Sequence, residues 1–176
     1  GSNVLTFEVI NSVTPNVANT PTGLRVEFTR ATVKSAAAAQ IPVFGTGVSA
    51  YGSAATLYPI GSSDPRWVLA ISQDPLYPGG VAPKVADATI PPWVSGDAPP
   101  ANPNYAARWI APRVDAANGN SPSSEYYIYY QVLDLTGIDK NTAQIKGRWA
   151  SDNESEIRIR RRSNGSVPPW PSAIPQ

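Results

Sequence analysis

In the segment NVLTFEVI, residues 3–10, the apolar residues Leu5, Phe7 and Val9 alternate with the polar residues Thr6 and Glu8. Because successive side chains of a strand point to opposite faces, this pattern predicts a strand with one buried face. The segment GLRVEFTRATV, residues 23–33, has the same alternation. We expect the two to be adjacent antiparallel strands joined by a long loop. The side chains predicted to be buried, and to complete a sheet, are Leu5, Phe7, Val9, Leu24, Val26 and Phe28.

Three later segments also predict strands, at residues 126–135, 143–150 and 156–160, since they are rich in β-branched and aromatic residues or alternate regularly. In the last of them Ile157 and Ile159 are expected to face the core. Shorter candidate strands lie at residues 43–47, 67–71, 84–87 and 107–111. Short strands separated by turn signals indicate an all-β protein, a β-sandwich of jelly-roll or immunoglobulin-like type. The many prolines of the central segment predict long Pro-rich loops.

The composition excludes several classes of function. The chain has 176 residues, no Cys, no His and a net charge of +1. Thiol chemistry, imidazole zinc sites and Ser-His-Asp triads are therefore excluded, and a nucleic-acid partner is not expected. No phosphate-binding or nucleophile motif occurs, so we predict no enzymatic activity, no catalytic residue and no cofactor.

Composition also bears on localisation. Charged residues make up only 15% of the chain, against roughly 25% in typical soluble domains. This favours an extracellular or cell-surface protein. No apolar run is long enough to predict a membrane span. With no initiator Met and no signal-peptide pattern, we expect a mature or excised product.

Several segments together resemble a known family. RWIAP, residues 108–112, followed by residues 126–159, resembles the central block of β-sandwich repeats in PEP-CTERM-type and other large secreted bacterial cell-surface proteins. The first 27 residues contain segments similar to the C-terminal strands of that family. Residues 43–48 and 64–69 resemble its N-terminal strands. The resemblance implies a β-sandwich with fold-defining rather than catalytic motifs, and with the last strands moved to the front.

This permuted order predicts three parts in the chain. Residues 1–34 are a strand pair that completes a β-sandwich, residues 35–40 an Ala-rich linker, and residues 41–176 the main β-sandwich domain. The pair could complete its own sandwich, a preceding domain or a neighbouring subunit, because each arrangement pairs the open edges and covers the apolar face. We therefore predict a structural subunit of an extracellular filament, sheath or surface layer that binds copies of itself. The alternative is a carbohydrate-binding or adhesion module that binds polysaccharide.

Aromatic residues in the loops are the candidate contact residues. Among prolines lie Trp93, Trp170 and Tyr77. We expect these side chains to act as anchors, either within their own loops or in contacts between subunits. The alternative is that they stack on sugar rings. The remaining tryptophans lie in strand-like contexts and are expected in the core; they are Trp67, Trp109 and Trp149.

Two charged clusters have alternative interpretations. Asp152, Asn153 and Glu154 carry the oxygen ligands that Ca²⁺ prefers, but we expect a polar turn without metal. The arginines at residues 158–162 predict a charged edge strand, because charges at a sheet edge oppose stacking. The alternatives are a contact with acidic residues of a neighbouring copy, and a patch that binds phosphate or an acidic polysaccharide.

Overall fold

A computed structural model describes residues 2–11, 23–32, 41, 43–50, 56–72, 74, 76–87, 107–115, 125–136, 138–139, 141–151 and 154–161. Within these residues every regular element is a strand. The strands are β1 (Ser2–Asn11), β2 (Leu24–Thr32), β3 (Val68–Ile71), β4 (Lys84–Val85), β5 (Ile110–Ala111), β6 (Glu125–Asp134), β7 (Gln144–Ser151) and β8 (Glu154–Arg161). The all-β prediction is therefore confirmed.

The strands form two antiparallel sheets that pack as a β-sandwich. Sheet A has the strand order β3-β6-β1-β8, and sheet B has the order β4-β5-β2-β7. Every pairing between neighbours is antiparallel. Among the described strands, β3 and β8 end sheet A, and β4 and β7 end sheet B. The arginine-rich segment therefore lies at an edge of sheet A, as predicted.

The two leading strands lie in different sheets, so the prediction that they are adjacent antiparallel strands is wrong. Strand β1 lies between β6 and β8, with Phe7 opposite Tyr129 on one side and Ile157 on the other. Strand β2 lies between β5 and β7. Alternation fixes which face of a strand is apolar, but it carries no information about which strand pairs with it. Both leading strands are therefore interior strands of this chain's own sheets.

The apolar faces of β1 and β2 meet across the core between the sheets. Phe7 is 1% exposed, and its ring centroid lies 5.3 Å from that of Trp67 at an interplanar angle of 56°. The indole Nε1 of Trp67 donates to the carbonyl oxygen of Gly45 at 3.3 Å, so its polar atom is paired inside the core. The buried cluster also contains Leu5, Val9, Leu24, Val26, Leu69, Ile110, Tyr127, Tyr129 and Leu133. Each such side chain stabilises the fold by roughly 1.5–3 kcal/mol.

A turn at Thr46 and Gly47 stands where the sequence predicted a strand at residues 43–47. Gly47 has a φ of +69°, a left-handed conformation that strands do not use. Its N–H donates to Asp64 Oδ2 at 2.6 Å, and the N–H of Arg66 donates to Asp64 Oδ1 at 2.9 Å. The buried carboxylate therefore holds two chain segments together, and its hydrogen bonds replace the backbone pairing that a strand would have made here.

Candidate functional site

An apolar groove opens between the edges of the two sheets, at strands β7 and β8. Its cavity volume is about 180 Å³. Its floor consists of core side chains from the two leading strands, and its rims come from the edge strands. The lining residues are Leu5, Phe7, Val26, Phe28, Ile145, Gly147, Arg148, Trp149, Ile157 and Ile159.

The rim of the groove exposes large apolar side chains to solvent. Ile159 is 66% exposed and Trp149 is 51% exposed. The prediction that Trp149 belongs to the core is therefore wrong, and Ile159 shares the inner face of β8 without being covered. Both residues lie on edge strands, beyond which the described part of the chain has no further strand to cover them. Alternation reveals the inner face of a strand, whereas coverage depends on what lies beside that strand.

Side-chain hydrogen bonds join β7 to β8 beside the groove. The indole Nε1 of Trp149 donates to Ser155 Oγ at 3.2 Å, and the hydroxyls of Ser151 and Ser155 are 2.8 Å apart. These contacts join the two sheets next to the connection between the strands.

Close packing of the backbone shapes the sheet B side of the groove. A Cβ atom added to Gly147 would lie 2.6 Å from the carbonyl oxygen of Glu27 and 3.1 Å from Cδ1 of Phe28. Any larger residue would push β7 away from β2. Glycine at this position therefore keeps the edge strand close to the floor of the groove.

A buried acid lies on the outer face of sheet B. Glu27 is 3% exposed and accepts a hydrogen bond from Nε of Arg148. That hydrogen bond and the negative charge of the carboxylate raise the pKa of Arg148. The sequence placed Glu27 only on the polar side of its strand. Its arginine partner, 121 residues away, lies beyond the reach of any local pattern.

The outer face of sheet A carries a second charged cluster along β8. Arg158 Nη2 lies 2.5 Å from Glu156 Oε2 and 4.0 Å from Glu8 Oε2. The hydrogen bond to Glu156 is the main reason that the pKa of Arg158 is raised. Glu8 of the interior strand β1 is only 5% exposed, so a buried acid lies beside an arginine of the edge strand β8.

The six residues predicted to complete a sheet come together in the structure. Leu5, Phe7, Val26 and Phe28 form the floor of the groove. Val9 and Leu24 are fully buried beside them.

Among the predicted loop contacts, Tyr77 is 38% exposed, and the guanidinium carbon of Arg113 lies 5.7 Å from its ring centroid. Nε of Arg113 lies 3.7 Å from both Asp74 Oδ2 and Asp115 Oδ1. This contact ties the loop after β3 to the segment after β5. Trp93 and Trp170 lie outside the described residues, as does the linker at residues 35–40.

Of the calcium candidates, Asp152 and Asn153 also lie outside the described residues, and Glu154 is the first residue of β8. Elsewhere in the described part of the chain, no group of three or more acidic residues is placed to hold a metal ion. The same residues include no helix with the length and hydropathy needed to cross a membrane.

Comparison of the chain with known protein families, with curated proteins and with solved structures finds no match. The candidate site therefore rests on the geometry of the groove and of the two edge strands alone.

Proposed function

We propose that this protein is a structural subunit of an extracellular assembly, such as a filament, sheath or surface layer, and that copies associate through the β7/β8 side of the sandwich. One observation carries the proposal: the apolar groove between two open sheet edges. Two edge strands there flank a groove whose rim exposes Ile159 and Trp149.

The physical argument concerns both the backbone and the side chains. An edge strand presents unpaired N–H and C=O groups, which are a template for a further strand. An apolar groove beside it gains free energy when its side chains leave water. Strand addition satisfies both at once, with backbone hydrogen bonds for affinity and side-chain pockets for specificity.

The structure bears on how strand complementation would work in such an assembly. Because β1 and β2 are interior strands of their own sandwich, the leading strands leave no vacant place in their own sheets. The complementation that we propose therefore takes place at β7 and β8, not through donation of residues 1–34. The low content of charged residues and the resemblance to bacterial cell-surface repeats support an extracellular location.

Sedimentation velocity over a hundredfold range of concentration, with electron microscopy of the same samples, tests the proposal. We expect wild-type protein to form oligomers or ordered polymers as its concentration rises. Ile159→Glu places a charge at the mouth of the groove and should shift the protein to monomers. Leu76→Glu is the matched control, because Leu76 is 75% exposed in the turn after β3, at the opposite edge of sheet A. A wild-type monomer at every concentration, or equal effects of both variants, would contradict the proposal.

A carbohydrate-binding or adhesion module is the second candidate. It is favoured by the half-exposed indole of Trp149 and by the partly exposed ring of Tyr77, since exposed aromatic rings offer flat apolar surfaces. Titration with soluble polysaccharides should then change the tryptophan emission of a monomeric protein. Loss of that change in Trp149→Ser or Tyr77→Ser would locate the binding surface, and an unchanged spectrum would rule against this candidate.

A further inference from the structure

We infer that the partner at this edge is a second copy of the same chain, with β8 of each copy paired antiparallel about a twofold axis at Ile157. Sheet A would then continue into the sheet A of its partner. This inference rests on the proposed self-association and specifies which strand mediates it and in which register. Such a contact closes on itself, so it forms a dimer, and growth into a polymer needs a second interface.

Strand β8 is a regular edge. Along the side next to β1, it pairs with β1 over eight consecutive positions without interruption, from Asn3 opposite Arg161 to Ile10 opposite Glu154. Strand β3, at the opposite edge of sheet A, in contrast has an extra residue between Leu69 and Ile71 that shifts its register against β6. No other described strand lies against the outer side of β8. A long, unbroken edge of this kind is what strand addition requires.

The twofold axis restricts the registers that are possible. Residues directly opposite each other must lie on the same face of the continued sheet. Because successive residues of β8 alternate between the two faces, opposed residues must both have even numbers or both have odd numbers. The residue numbers of each opposed pair must therefore sum to an even number. With the axis at Ile157 the sum is 314, as follows from 157 opposite 157 in the strand Glu154–Arg161.

The order of charges along β8 selects this register. Glu156 then lies opposite Arg158 of the partner subunit, and Glu154 lies opposite Arg160 of the partner subunit. Moving the axis by one residue places either Glu156 or Arg158 opposite its own copy. Opposite charges across a strand pair are stabilising and like charges are destabilising, so the axis at Ile157 is favoured over both neighbouring registers.

The same charge order indicates why the partner is a second copy. The first half of the strand is acidic and the second half is basic, a sequence that an antiparallel copy of itself complements. Arg158 already contacts Glu156 and Glu8 of its own chain, so pairing would extend an existing network by the partner's Glu156. On the inner face, the exposed side chain of Ile159 would lie opposite Ser155 of the partner subunit, and the two grooves would meet at the axis.

Disulfide trapping tests the register directly, because the chain contains no Cys. In Ile157→Cys the two introduced thiols face each other, with Cα atoms about 4.5–5.5 Å apart, which is within the range of a disulfide. Mild oxidation should give a covalent dimer. Ile159→Cys is the matched control, since residue 159 and its copy would be four residues apart, about 13 Å. Equal yields of covalent dimer from the two variants would overturn the register.

Charge exchange tests the pairing without cross-linking. Arg160→Glu opposes Glu154 of the partner subunit at two symmetric places and should raise the dimer dissociation constant at least about tenfold. The double variant E154R/R160E restores opposite charges and should return that constant to within about threefold of wild type. Far-UV circular dichroism checks that each variant folds. A double variant as weak as the single one would overturn the pairing.

These outcomes separate the inference from the proposed function. If wild-type protein assembles while Ile157→Cys gives no specific dimer and the double variant restores nothing, the β8 pairing is wrong and self-association stands. If wild-type protein stays monomeric, both are wrong.

Discussion

Replacement of Phe7 by Ala should be among the most damaging single changes in this protein. The ring is 1% exposed, lies between Tyr129 and Ile157 on its two neighbouring strands, and contacts Trp67 at 5.3 Å. Deleting a fully buried Phe side chain costs about 3–5 kcal/mol, because the transfer free energy is lost and a cavity remains. Because the substitution also removes the aromatic contact with Trp67, we expect a loss of about 4 kcal/mol in the free energy of unfolding.

Ile159→Ala is the matched comparison, since Ile159 lies on the same inner face of sheet A but is 66% exposed. Only about a third of its side chain is removed from water, so we expect a loss of about 1 kcal/mol or less. Both free energies of unfolding are measured by urea denaturation with circular dichroism. In thermal melts, Phe7→Ala should lower Tm by about 8–16 °C. A loss below about 1.5 kcal/mol, or one equal to that of Ile159→Ala, would refute the placement of β1 inside the core.

Three further predictions concern single sites. Burial raises the pKa of Asp64 above 3.8. The carboxyl group of Asp64 therefore stays protonated to higher pH in the native state than in the unfolded state. Its contribution to stability should fall as pH rises through that raised pKa. Asp64→Asn should remove this pH dependence in urea titrations between pH 3 and 7, and should cost about 1–3 kcal/mol at pH 7, because an amide cannot accept both backbone N–H groups. The hydroxyl of Tyr129 is buried without a hydrogen-bond partner in the described part of the chain; Tyr129→Phe should therefore leave stability unchanged or raise it by about 1 kcal/mol, and a clear loss would reveal an unseen partner. Val9 and Ser155 are direct neighbours on β1 and β8, so V9C/S155C should form a disulfide within one chain, whereas covalent oligomers on a non-reducing gel would indicate that β1 is exchanged between copies.

Local alternation was sufficient to predict the longer strands. The segments at residues 3–10 and 23–33 correspond to β1 and β2, and the apolar residues Leu5, Phe7 and Val9 are buried as predicted. These predictions succeed because the direction of a strand side chain is set by its position in the alternation, which a short segment contains in full. The short segment at residues 43–47 failed, since the left-handed Gly47 and its bond to Asp64 override its strand propensity.

Pair interactions over long distances were not predictable in the same way. Glu27 and Arg148 are 121 residues apart and become partners only when β2 and β7 pair. Trp149 is a large apolar residue in a strand, which predicts burial. It is nevertheless half-exposed, because β7 is an edge strand of sheet B. Nothing in the alternation of β7 or β8 distinguishes an edge strand from an interior one. Only the charges of β8 predicted an edge strand.

The amino-acid sequence by itself determined that this is an all-β protein with two apolar leading strands and no cysteine or histidine chemistry. Tertiary structure alone decided that those strands separate into the two sheets, and that β7 and β8 are left as neighbouring open edges with a groove between them. The reason is physical: which face of a strand is buried depends on its own residues, whereas its place in a sheet depends on the competition of all strands for partners.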